Sequence, residues 1–151
     1  MRKFSFGLAA IAMVAGTACV ALAANPPPVE GGNMMAPAKG QLVFKFNPIG
    51  GGTQKGTVTL VPMGEKTKVT ISLTGEPEGA IEPSHFHKGN CAHPGAVTYP
   101  LTDVVAGSSV TVVNAPISKL AIAGDSVNVH KSAAQLNVYM ACADLGNPPS
   151  M

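Results

Sequence analysis

Arginine is almost missing from this chain: the sole example is Arg2, and nothing after the first two dozen residues replaces it. Ten basic residues stand against eight acidic ones, and removing Arg2 and Lys3 from the count leaves eight lysines against eight acids. Past its N-terminal segment the chain is therefore near neutral. Nucleic acids and anionic membrane surfaces are bound through clustered positive charge, so this balance argues against both partners. Catalytic fingerprints are lacking too. There is no Ser-His-acid arrangement, G-x-S-x-G elbow, phosphate loop or dinucleotide motif. Gly50-Gly51-Gly52 is not followed by Gly-Lys-Ser/Thr and a helix start, and reads as a turn between strands. Histidine and cysteine are scarce, at four and three.

The first apolar stretch belongs to export. Arg2 and Lys3 form a positive n-region, residues 4–20 are apolar, and Ala21-Leu22-Ala23 is an A-x-A cleavage pattern ahead of Asn25 and three prolines. Residues 1–23 are thus expected to be a signal peptide, placing the mature protein in the periplasm or outside the cell. The alternative is a lipid-anchoring Cys19, but Gly16-Thr17-Ala18 lacks the usual leucine of that signal. Residues 24–40, rich in proline and glycine with little to bury, read as a flexible arm. Met34 and Met35 in it are soft thioether donors, or simply two adjacent methionines.

What is present is concentrated in a few residues. His85-Phe86-His87 is followed by Cys91, and the late segments Val129-His130 and Ala141-Cys142 answer it. On a β-strand, side chains two apart leave the same face, so His85 and His87 can turn toward one ion, and His130 from another strand can complete the site. Imidazole suits copper and zinc, whereas hard cations want carboxylates, which this cluster lacks. His93, just before Pro94, is either a fourth ligand or a surface turn histidine. Cys91 and Cys142 survive maturation in an oxidising compartment and are most simply a disulfide, with a pair of cysteine metal ligands as the competing reading. Closing a loop of about fifty residues stabilises by roughly 4 kcal/mol in the chain-entropy model.

One domain is expected over 41–145, with a tail at 146–151. Short β-rich runs at 41–46, 56–62, 67–73, 84–87, 96–101, 109–114, 126–130 and 137–141 alternate with turn residues. Val69, Ile71 and Leu73 interleave with Lys68, Thr70 and Ser72, the pattern of a strand with one buried face. Residues 119–123 and 132–136 each read as a helical turn. The fold class is all-β, a sandwich or barrel of about eight antiparallel strands.

The order H-x-H, nearby Cys91, Gly124-Asp125, a strand ending Val-x-Val-His130, then Ala141-Cys142 and Leu145 resembles the copper/zinc superoxide dismutase superfamily, and more closely its shortened, secreted branch. The likeness runs from about Thr57 to Leu145. It implies a Greek-key β-barrel with a copper site on the outside of its wall, His85 and His87 as the copper pair on one strand, and His130 as the later ligand. It also implies that Cys91 and Cys142 pair to staple the site loop to the last strand.

The chain departs from that family in two places. The run from Cys91 to Leu101 is too short for the family's zinc loop and holds one histidine, so the zinc site is expected to be missing, with His93 as the remaining candidate for the bridging position. Where the family has the arginine that guides superoxide, three residues before the last cysteine, this chain has Tyr139. An anionic substrate thereby loses a charge-assisted hydrogen bond and a steering field. Three functions stay open: superoxide disproportionation at a copper-only site, a non-catalytic copper carrier or scavenger of the same fold, and a three-histidine zinc site.

Overall fold

A computed structural model describes residues 39–146. The expected signal peptide, nearly all of the arm with Met34 and Met35, and the tail beyond residue 146 lie outside the described residues. Ten strands and one helical turn follow in chain order: β1 (Leu42–Pro48), β2 (Lys55–Met63), β3 (Lys66–Thr74), β4 (Ile81–Glu82), β5 (Ser84–His87), β6 (Val97–Pro100), β7 (Val104–Val105), β8 (Ser108–Val113), α1 (Ile117–Leu120), β9 (Asp125–His130) and β10 (Tyr139–Leu145). All pairings are antiparallel, and the sheet runs in the order β4-β7-β8-β3-β2-β1-β10-β9-β5-β6. It curls into a half-barrel.

The alternation that marks the strands also sets the curl. In β3, Thr67, Val69, Ile71 and Leu73 are buried while Lys66, Lys68 and Ser72 face water, and Val58 and Leu60 of β2 join the same interior. Phe44, Phe46, Phe86, Val127, Val129, Ala141, Ala143 and Leu145 complete one core, so the strands at both ends of the order share an interior. A hinge of polar contacts ties them together. The Thr102 carbonyl accepts from Ser84 Oγ of β5 (3.1 Å) and Ser109 Oγ of β8 (2.6 Å), and the Thr102 N–H donates to Thr111 Oγ1 (2.8 Å).

The structure differs from the sequence reading in several places. The strand count is ten rather than eight because β4 and β7 are two-residue strands that pair with each other, and so short a ladder leaves no alternation to read. The last strand starts two residues later than expected and extends to Leu145, paired along its length with β9. The helical turn near 119–123 lies instead at Ile117–Leu120, beginning after Pro116, whose fixed φ favours a helix start. Residues 132–136 form turns, not helix, closed by Gln135 N–H to the Ser132 carbonyl (3.0 Å). The triglycine is the expected turn. Gly50 and Gly51 have φ of 59° and 86°, and a β-carbon at Gly52 would collide with the Met140 carbonyl, so the run lets the end of β1 lie against β10.

Candidate metal centre

Directly opposed residues of an antiparallel pair share a face of the sheet. His85 opposes Asn128 and His87 opposes Ser126, while Cys142 opposes Asn128 and Asp144 opposes Ser126. One face of β5-β9-β10 therefore carries His85, His87, Ser126, Asn128, His130, Cys142 and Asp144. The other carries Phe86, Val127, Val129, Ala141, Ala143 and Leu145, all in the core. The histidines consequently stand on the outer wall of the curl. His87 and His130 are nevertheless shielded, 3 % and 2 % exposed, while His85 is half-buried.

Two connections supply the cover. The β5–β6 connection is pinned by the Cys91–Cys142 disulfide, whose Cα atoms are 5.7 Å apart, and by Asp144 Oδ1, which accepts the Cys91 N–H (2.7 Å). Asp125 holds its start, pairing with Lys88 Nζ (2.9 Å) and accepting the Gly89 N–H (3.3 Å), and Ser126 Oγ donates to the Gly89 carbonyl (2.8 Å). Asn90 Oδ1 accepts the Ala92 and His93 N–H groups, an Asx turn that tightens the bend. The second cover is the β9–β10 connection, closed by Lys131 N–H to the Val138 carbonyl (2.9 Å).

Each cover fixes one imidazole. His87 Nδ1–H donates to the Gly95 carbonyl (2.9 Å) and His130 Nδ1–H to the Leu136 carbonyl (2.6 Å). A carbonyl only accepts, so both rings must carry their proton on Nδ1, and both Nε2 atoms present lone pairs. Those atoms lie 3.4 Å apart, and His85 Nδ1 lies 3.0 Å from His130 Nε2. One ring nitrogen from each histidine falls within 4.8 Å of the others, a group that can hold a metal ion and the sole one of three or more ligand residues among the described residues. The His130 Nε2 lone pair can take either a proton donated by His85 Nδ1 or a metal ion shared with His87 Nε2. Carbonyl partners on the far nitrogens are the usual way a protein orients metal-binding imidazoles.

Electrostatics favour the unprotonated forms of His85 and His130. Burial, above all, pushes His130 down to about 4, helped by His85 and His87 and opposed by its bond to Leu136. Burial and the neighbouring His87 also lower His85, against the pull of Asp103. Neutral imidazoles are the form a metal takes.

Tyr139 belongs to the site by geometry. It opposes His130, and the register then slips so that Ala141 opposes Val129, leaving Met140 as the extra residue of a β-bulge. Without the slip, Tyr139 and Ala141 would share a face; with it, Ala141 enters the core and the Tyr139 ring lies over the site, its centroid 4.8 Å from His130 and 6.0 Å from His87. His93 is exposed and stands outside the three-histidine group. The carbonyls of Gly95 and Leu136 carry no side-chain signature and were invisible in the sequence, as was Asn128, fully buried on the site face with Oδ1 lacking a donor. The disulfide is consistent with an oxidising environment, and no helix among the described residues is long and apolar enough to cross a membrane. No family model, curated protein or solved structure matches this chain.

Proposed function

We propose that this is an exported copper protein of the superoxide dismutase-like kind, a Greek-key barrel in which His85, His87 and His130 hold one copper ion and the zinc site is missing. The observation that carries the metal reading is the convergence of three ring nitrogens, two with their tautomers fixed by backbone carbonyls. An all-imidazole donor set with no carboxylate suits copper and zinc over calcium or magnesium. Copper is chosen over zinc because of the resemblance between Thr57 and Leu145, with Cys91 and Cys142 in the pairing it implies. The signal-like N-terminus and the disulfide support a periplasmic or secreted location.

Bound copper would supply a one-electron couple, which in disproportionation oxidises one superoxide to dioxygen and reduces the next to peroxide. The chain's own residues set the conditions for it. Burial favours the neutral form of His85 and His130, loop carbonyls fix the direction of His87 and His130, and the two covers exclude water from the latter pair. Tyr139, beside His130, stands at the sequence position where the resemblance implies an arginine, so superoxide would arrive without steering. That observation favours a second reading, a copper carrier or scavenger on the same fold.

Rapid-kinetic superoxide decay with the copper-loaded mature protein separates the two. An enzyme clears superoxide faster than copper-free protein, and Tyr139→Arg raises the rate and makes it fall with ionic strength. A carrier retains about one copper and shows no turnover with either residue. Metal analysis of periplasmically expressed protein that returned zinc in place of copper would contradict both.

A further inference from the structure

Outside the metal centre, the buried Glu82 carboxyl is bonded to Gln54 and lies within electrostatic reach of Glu76. Gln54 precedes β2, Glu76 follows β3 and Glu82 ends β4. Gln54 and Glu82 are 0 % and 1 % exposed. Gln54 Nε2 donates to Glu82 Oε1 (2.6 Å), which uses that oxygen as an acceptor. Glu82 Oε2, Glu76 Oε2 and Gln54 Oε1 remain buried without any hydrogen-bond partner. Among the described residues neither Glu76 nor Glu82 has a salt-bridge partner. Opposite Glu82 stands Val104 of β7, Gln54 is neutral, and the charged group that acts on Glu82 is the Glu76 carboxylate. Gly107, at the turn between β7 and β8, leaves Glu76 its space, since a β-carbon there would come within 2.6 Å of Glu76 Oε1.

A bare carboxylate at Glu82, 1 % exposed and acted on by a second carboxylate, is costly, and a proton on its unpartnered Oε2 removes that charge. We propose that Glu82 is kept as a neutral carboxylic acid, its Oε2 carrying the proton, and that this proton holds β4 on the sheet immediately ahead of the metal-binding strand. The chain passes from Glu82 to Pro83, whose carbonyl accepts the His130 N–H (2.8 Å), and then into Ser84 and His85. Loss of the proton puts a second charge into the pocket and is relieved by opening the two-residue β4–β7 ladder, which loosens the start of β5.

The sign follows from the pocket. Burial first, and the Glu76 charge second, raise Glu82 above the ordinary carboxylate range, against the bond from Gln54. The proton's contribution to stability is full below the unfolded carboxylate pKa and is lost as pH rises through the raised folded value. This proposal does not depend on the identity of the metal, because it is tested on metal-free protein.

The experiment is infrared spectroscopy of the metal-free mature chain over a pH series, beside denaturant unfolding at each pH, for wild type, Glu82→Gln and Glu76→Gln. A carboxylic acid C=O band is expected to persist in wild type above the range where ordinary carboxyls ionise, to be missing in Glu82→Gln, and to vanish at lower pH in Glu76→Gln. The folding equilibrium constant of wild type should fall relative to Glu82→Gln by at most about tenfold per pH unit as pH rises, the slope of one proton. No such band, or parallel pH profiles for wild type and Glu82→Gln, would overturn the proposal. So would stabilisation of wild type by calcium or magnesium that Glu82→Gln abolishes, because a cation would then occupy the proton's place.

Discussion

The outer faces of β2-β3 and of β5-β9-β10 are built by the same alternation and meet opposite fates. On β3 the outward side chains are Lys66, Lys68, Thr70 and Ser72, and no loop covers them. On β5 and β9 they are His85, His87, Ser126, Asn128 and His130, and two connections fold back over them. The first face does no more than solvate a core strand. The second is a polar surface removed from water, in which every imidazole needs a partner and two find one in a loop carbonyl. Covering, more than composition, turns the wall of the sheet into a site.

Breaking the covered face should give the largest effect. His130→Ala, or His85→Ala, should lower copper affinity at least about a hundredfold while leaving the unfolding transition cooperative, because each removes a ligand and neither touches the core face. Competition titration against a chelator measures it, and wild-type-like binding by His130→Ala would remove β9 from the site.

Releasing the cover comes next. Cys91→Ser should destabilise by about 4 kcal/mol as an upper figure in the loop-entropy picture, read by denaturant unfolding. It should also weaken copper binding roughly tenfold, since the freed connection carries the Gly95 carbonyl that orients His87. Loss of stability with copper affinity unchanged would show that the bridge serves the fold alone.

Acid tests the same face without mutation. His130 is held down to about 4 against an ordinary 6.5, so the unfolded chain takes up its proton first. The associated stability is present above 6.5 and is lost as pH falls from there to about 4, a loss of up to about 3 kcal/mol in metal-free protein. His130→Ala should flatten that part of the profile. On the uncovered face the smallest change is expected: Lys68→Ala should shift stability by no more than about 0.5 kcal/mol and leave copper binding alone.

Much of the covered face was legible in the sequence because it rests on strand periodicity. The segment Ser84–His87 was readable residue for residue, since two histidines flanking Phe86 give both the face and its alternation. The pairing of Cys91 with Cys142 was legible once Cys19 was assigned to the export segment, which leaves two cysteines. What escaped depends on contacts that alternation does not encode. Met140 gives no sign of the bulge that turns Tyr139 onto the site, and Asp144 looks like a turn residue while it opposes Ser126 within β10 and accepts the Cys91 N–H. On β8 the valines mislead. Val110 and Val112 are 55 % and 52 % exposed, while Ser109 is buried through its bond to the Thr102 carbonyl. The Gln54-Glu82 contact joins residues 28 apart whose meeting no spacing announces.

The central claim is that three imidazoles, from His85, His87 and His130, bind one copper on the outer wall. Pulsed electron paramagnetic resonance of the cupric protein, with His93→Ala beside wild type, counts those nitrogens directly. The expected result is three coordinated imidazoles in both proteins, falling to two in His85→Ala. Two or fewer in wild type, or the loss of one on His93→Ala, would contradict it.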